Sequence, residues 1–286
     1  MLASMMTITS LQPLPVSAQR LPTRTQNTAD STVEAALSAG KLRASSQRAA
    51  RLYLESGREL RVQRTRIALA SEIANVDASL AALKKISLRG EKERRDLLRA
   101  LAAVTGQWAE LRPVLTAKYA TEKSQMVYDT SEQMYIYSSK VTFLFEDVNN
   151  SEAGYMTDVA GRLQSNSERI SKAAIHGIIS RNASSAVDFI AWKKEYLESY
   201  RELVSSPLND DFQKRNLELG NILWGFFDDV VTRAAERSDI SQILAISKCA
   251  DGMWDVAQSS RIVYVAALKK SSAEDKLIAR NVSKSL

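Results

Sequence analysis

The chain is poor in residues that break regular structure. Its 286 residues include 10 Gly and 5 Pro, which leaves little room for tight β-hairpins or a glycine-rich nucleotide loop. A single Cys, Cys249, excludes an intramolecular disulfide framework. A single His, His176, removes most zinc sites and His-based catalytic arrangements. No run reaches the roughly 20 apolar residues of a membrane span, because the longest uncharged stretch, Met1 to Gln19, is diluted by Ser, Thr, Gln and two Pro. Asp210-Asp211 and Asp228-Asp229 are adjacent carboxylates, and on a helix neighbours point to different faces, which is poor geometry for acid–base work. No triad, phosphate loop or metal spacing is present, so no enzymatic activity, cofactor or metal is expected.

What remains is a globular balance of 45% hydrophobic and 25% charged residues, enough for a sizeable core. The formal charge is +6, and one window holds an equal surplus: Lys41, Arg43, Arg48, Arg51, Arg58, Arg61, Arg64 and Arg66 against Glu55 and Glu59. A basic stripe suits an anionic ligand, a nucleic acid or a membrane surface, and it also suits a plain solvated helix face.

The first 30 residues differ from the rest. Val16-Ser17-Ala18 before Gln19 places small residues where a signal peptidase cuts, although the basic start of a secretory signal is missing. Residues 1–30 therefore read as a signal peptide followed by a linker from Gln19 to Asp30, implying a periplasmic protein, or as a plain tail.

From Ser31 onward the apolar spacing is helical, and the expected fold is all-α, an up-down bundle of long helices. Ser31 and Glu34 have the form of a capping box opening a helix to about Ser87, ended by Leu88-Arg89-Gly90. A second helix is predicted from Glu91 to Val148 with a kink or break at Pro113, and a third from Asn149-Asn150-Ser151 to Val204. The loop Ser205 to Asp210 precedes a last segment, Asp211 to Lys284, that divides near Ser238-Asp239, where Asp239 and Gln242 form another cap.

An internal repeat carries the most information. Residues 39–51 align without gaps on residues 160–172, with five identities: Ala39, Gly40, Leu42, Ser46 and Arg48 match Ala160, Gly161, Leu163, Ser167 and Arg169. Such self-similarity implies a duplication, here two repeated helical hairpins over 31–148 and 149–286. On a wheel, Ala39, Leu42, Ser46, Ala49 and Tyr53 form a core seam, as do Ala160, Leu163, Ser167, Ile170 and Ala174. A second stripe holds Gly40, Arg43, Gln47 and Arg51, matched by Gly161, Gln164, Glu168 and Lys172.

A helical Gly costs about 1 kcal/mol relative to Ala, so its recurrence suggests close approach by another helix or a ligand. If the two copies face each other, Gly40, Arg43, Gln47, Arg51, Gly161, Gln164 and Lys172 line a cleft in which a small anion bridges the helices. The alternative is that Arg43 and Arg51 pair with acidic neighbours such as Glu168. His176 and Cys249 read as packed core residues. So do the aromatic groups Tyr128, Tyr135, Tyr137, Phe143, Phe145 and Trp224, Phe226, Phe227.

The run Ala39-Gly40-x-Leu42-Arg43-x-x-Ser46-Gln47-Arg48-x-Ala50-Arg51 resembles the PilJ-type family, the type IV pili methyl-accepting chemotaxis transducer N-terminal domain, and the related nitrate-sensing domains of NarX-like kinases. The resemblance covers about fifteen residues in each copy. It implies a periplasmic helical sensor head that binds nitrate or nitrite, with Arg43 as the anion-holding Arg and Gly40 beside it, signalling through a separate partner protein. Gln164 stands where a second Arg would be, and homodimerisation through the first repeat would restore an Arg pair. The other function kept open is a structural or adaptor bundle whose basic stripe docks a protein or a nucleic-acid backbone.

Overall fold

The computed structural model describes residues 26–58, 61–86, 90–145, 151–180, 185–237 and 240–284. Among them, eight α-helices and one short 3₁₀ turn account for almost every residue, and no strand is present. The helices are α1 (Gln26–Ser56), α2 (Val62–Leu83), α3 (Glu91–Thr116), α4 (Ser124–Phe143), α5 (Glu152–Ser180), α6 (Ser185–Ser205), α7 (Asp211–Arg237) and α8 (Ile240–Lys284). The fold is all-α, as expected. No described helix is long and apolar enough to cross a membrane. The proposed signal peptide, residues 19–25 of the linker and the Asp239 cap lie outside the described residues.

Each helix predicted before residue 205 is in fact two. The first breaks after Ser56, where Gly57 packs under the Tyr119 ring so closely that a Cβ would stand 2.3 Å from it, and Arg61 adopts a left-handed φ of 50°. The second runs through Pro113 for one more turn and stops at the extended Ala117. The third divides between Ser180 and Ser185. The expected capping box fails as well, because α1 starts at Gln26 and Ser31 lies inside it. Other ends behave as their chemistry requires. The Ser151 hydroxyl accepts the Gly154 N–H at 3.0 Å, and the Asp210 carboxylate accepts the Gln213 N–H at 2.7 Å, capping α5 and α7.

The two halves therefore carry four helices each rather than one hairpin each. The helices of the second half begin 126, 123, 120 and 116 residues after their counterparts in the first, close to the 121-residue offset of the repeated motif. Within each half the first helix packs on the second and fourth, and the third packs on the fourth. The halves meet chiefly through α1 and α5. Arg43 reaches Asp158 and Arg51 reaches Glu168, so position advances together on both helices and they run parallel.

Being central, α1 and α5 are buried nearly all round over the motif. The core seam of Ala39, Leu42, Ala49, Tyr53, Ala160, Leu163 and Ile170 is at most 1% exposed. Their serines are buried without cost in unpaired hydroxyls, since Ser46, Ser165, Ser167 and Ser171 each donate back to a carbonyl three or four residues earlier. Small side chains satisfied on their own helix let α1 and α5 approach closely. Trp224, Phe227, Phe145 and Tyr128 are core residues, but Phe143 and Phe226, placed with them by spacing, are exposed.

Candidate functional site

The α1–α5 interface gathers its charges into three layers, the first two side by side at one height and the third about two turns nearer the N-termini, and each has a different balance. In the first layer, the fully buried Arg51 donates Nε to Glu168 at 2.5 Å, Nη1 to Glu55 at 3.0 Å and Nη2 to Asp251 of α8 at 2.8 Å. Desolvation disfavours its charge, yet Glu168, Asp251 and Glu55 outweigh that and hold the guanidinium firmly protonated. Glu168 is fully buried, and desolvation pushes its carboxyl up despite Arg51 and Arg48. Asp251 lies at the rim, where Arg48, Arg61 and Arg64 also reach it.

The second layer lies across from the first and follows the repeated motif. Lys172 corresponds to Arg51, and Gln47 corresponds to Glu168. Lys172 Nζ donates to Gln47 Oε1 at 2.7 Å, Ser131 Oγ at 2.6 Å and Glu132 Oε1 at 2.7 Å, which uses all three of its protons. Gln47 Nε2 donates to the Ser131 carbonyl at 2.6 Å. Glu132 also takes the Arg169 guanidinium, which is sandwiched between the Tyr135 and Trp192 rings at 3.8 and 4.2 Å. Desolvation pushes the Glu132 carboxyl up, but Lys172 and Arg169 together hold it below the usual carboxylate range.

That depression has a pH signature. A carboxyl lowered on folding stabilises the native state above its unfolded pKa, and the contribution is lost as pH falls through the folded value. Urea midpoints measured between about pH 6 and 3 are expected to fall on acidification, less steeply in Glu132→Gln than in the parent; equal slopes would mean that Glu132 gains nothing from Lys172 and Arg169.

The third layer is different. Toward the N-terminal half of the motif, α1, α4, α5 and α8 enclose a cavity of about 20 Å³ lined by Gly40, Arg43, Thr157, Asp158, Gly161 and Arg261, among others. The glycines serve side chains here rather than a backbone. A Cβ on Gly161 would lie 3.3 Å from Arg43 Nη2, and one on Gly40 would lie 3.4 Å from Arg261 Nη2. Two guanidiniums from different helices thus converge across a pair of duplicated glycines.

Their compensation is thin. Arg43 reaches Asp158 at 3.1 Å, a carboxylate it shares with Arg162 at 3.1 Å, and Arg43 Nε is buried with no hydrogen-bond partner among the described residues. Arg261 donates to the Leu37 carbonyl at 2.5 Å and makes no ion pair among the described residues. Burial first, then repulsion from Arg43, lowers its pKa to about 10, with Asp158 opposing weakly.

No family model, curated protein or solved structure matches this chain. The site therefore rests on its own geometry. Of the residues expected to line the cleft, Gly40, Arg43 and Gly161 meet at the cavity. Gln47, Arg51 and Lys172 are instead engaged by protein groups one to two turns further along the helices. Gln164, the counterpart of Arg43, turns to α8 and donates to Gln258 at 2.9 Å, and its carbonyl oxygen is buried without a partner among the described residues. Arg261 and Asp158 carry no signal in the motif. Among the described residues no group of His, Cys, Asp and Glu is arranged to hold a metal. His176 is 2% exposed and stacks on Tyr128 at 4.6 Å, a packed core ring whose pKa burial lowers.

Proposed function

We propose that this chain is a non-enzymatic sensor head, periplasmic and of PilJ-like character, that holds a small oxyanion of the nitrate or nitrite class between Arg43 and Arg261. The supporting observation is the charge imbalance at the cavity: two converging guanidiniums, one shared carboxylate and two glycines that clear the space. An anion there accepts from Arg43 Nε and relieves the repulsion felt by Arg261, and forked guanidiniums suit planar oxygen triads. A cavity of about 20 Å³ is small for nitrate without a slight outward shift of the long Arg261 side chain, and it disfavours tetrahedral sulfate. Bound anion competes with Asp158 for Arg43, so occupancy alters the tie between α1 and α5, and a partner protein reads the altered packing. Such a signal requires unequal anion affinity in the two packings.

Thermal melts test the reading. At about 10 mM anion with Kd about 0.1 mM the gain is about 2.7 kcal/mol, so nitrate or nitrite is expected to raise the midpoint by several degrees above chloride and sulfate at equal ionic strength. Arg43→Ala is expected to abolish the difference. If no anion exceeds the general salt effect, the second reading takes over, a structural or adaptor bundle docking a protein or a nucleic-acid backbone. One observation favours its structural side, namely that Gln47, Arg51 and Lys172 are already engaged inside the protein, which leaves Lys41, Arg64 and Arg66 as the exposed members of the basic stripe.

A further inference from the structure

The exposed face of α7 has no task in the bundle. Phe212, Leu219, Ile222 and Phe226 are 56, 50, 56 and 61% exposed, and their 7-3-4 spacing lines them up along about 21 Å of one helix side. Arg215 completes the 3-4 seam, is exposed, and makes no ion pair among the described residues. Large apolar side chains in such a row mark a surface that is covered in use.

The duplication supplies an internal control. Helices α3 and α7 begin 120 residues apart, and at that offset their inward positions agree: Leu97 with Leu217, Val104 with Trp224 and Leu111 with Val231 are buried in both. Outward positions do not agree. Where α7 has Phe212, Leu219, Ile222 and Phe226, α3 has Lys92, Arg99, Ala102 and Gly106, all exposed. The same place in the same kind of four-helix unit is thus content with charged and small residues, so folding does not require the apolar row on α7.

We propose that α7 pairs antiparallel with α7 of a second copy of this chain. A seam at 3-4 spacing fits a like seam, since knobs of one helix enter holes of the other. Antiparallel register centred between Leu219 and Ile222 sets Leu219 against Ile222 of the second copy. It sets Arg215 over the Phe226 ring of the second copy, one turn from Asp229, which its own Arg233 already holds, so the guanidinium gains chiefly an aromatic face. A parallel pair would stack Arg215 on Arg215, which the charge forbids. One helix face per copy is a small interface, so the pair dissociates in the micromolar range. This dimer uses the second half of the chain and leaves α1, α5 and the anion cavity untouched.

Sedimentation velocity of the full chain from about 1 to 200 μM is expected to show a reversible monomer–dimer equilibrium. Leu219→Asp with Phe226→Asp is expected to leave a monomer throughout, with helicity and melting midpoint retained because both side chains already face solvent. Orientation is read in a Cys249→Ser background: mixed Arg215→Cys and Phe226→Cys chains form a disulfide dimer, and Arg215→Cys alone does not. A monomer at every concentration, a dimer indifferent to the double Asp variant, or efficient Arg215→Cys self-linkage each overturns the proposal. None of these outcomes bears on nitrate binding.

Discussion

Arg51→Met is expected to lower the stability of this protein by about 3–5 kcal/mol, the cost of removing one partner from a buried ion pair. The reason is what Met leaves behind. Glu168 is fully buried, and its next cation, Arg48, is 4.0 Å away; among the described residues Glu55 keeps only the Thr65 hydroxyl at 3.1 Å. Asp251 loses least, because Arg48, Arg61 and Arg64 still reach it from the rim. Lys172→Met, the same change in the duplicated layer, is expected to cost about half as much. Its charge faces a neutral amide in Gln47, and Glu132 keeps Arg169 at 2.7 Å and is partly solvated. Burial already pushes the Lys172 ammonium down, against the pull of Glu132, so less is lost with it. Adding Glu168→Met to Arg51→Met is expected to recover part of the loss, since two uncharged side chains leave no orphan carboxylate at that position. Urea midpoints for the parent and the three variants make the comparison. An Arg51→Met cost below about 1 kcal/mol would mean that water reaches Glu168 freely, and the buried-network account would fail.

Those layers also separate what the sequence makes legible from what it does not. The helical class and the core seam from Ala39 to Tyr53 follow from local spacing, which a single chain displays. The helix break at Ser56 does not, because its cause is distant: Gly57 is needed by the ring of Tyr119, which arrives from the α3–α4 connection. Arg51 and Lys172 were expected to face a ligand because the wheel shows which side of a helix they occupy. Their partners Asp251 and Glu132 come from α8 and α4, and nothing in the motif announces them. Phe226 is the clearest case. Its spacing from Leu219 and Ile222 is that of a core seam, and periodicity alone cannot tell a seam that meets its own bundle from one that meets another molecule. The charged and small counterparts on α3 are what set the α7 row apart.

Arg261→Met should act in the opposite direction to Arg51→Met, raising stability in anion-free buffer while removing any response to nitrate or nitrite. Arg51 is matched by three carboxylates, whereas Arg261 has one backbone carbonyl and a repelling neighbour in Arg43. A pKa lowered to about 10, well below the usual guanidinium range, states how poorly the folded protein accommodates that charge. Each pKa unit is worth about 1.4 kcal/mol, and because the side chain is partly solvated the gain from removing it is discounted to about 1–2 kcal/mol. Met keeps the unbranched stem and its packing beside Gly40 without the charge. Denaturant midpoints and anion-dependent melts on the same variant separate the two effects. A destabilised Arg261→Met would show that the bond to the Leu37 carbonyl outweighs the unpaired charge, and the electrostatic argument for an anion would go with it. A stabilised variant that still responds to nitrate would leave the imbalance intact and move the anion elsewhere. Charge counting places both results on one scale: where carboxylates match guanidiniums the fold depends on the cation, and where they do not, the cation is retained at the expense of stability.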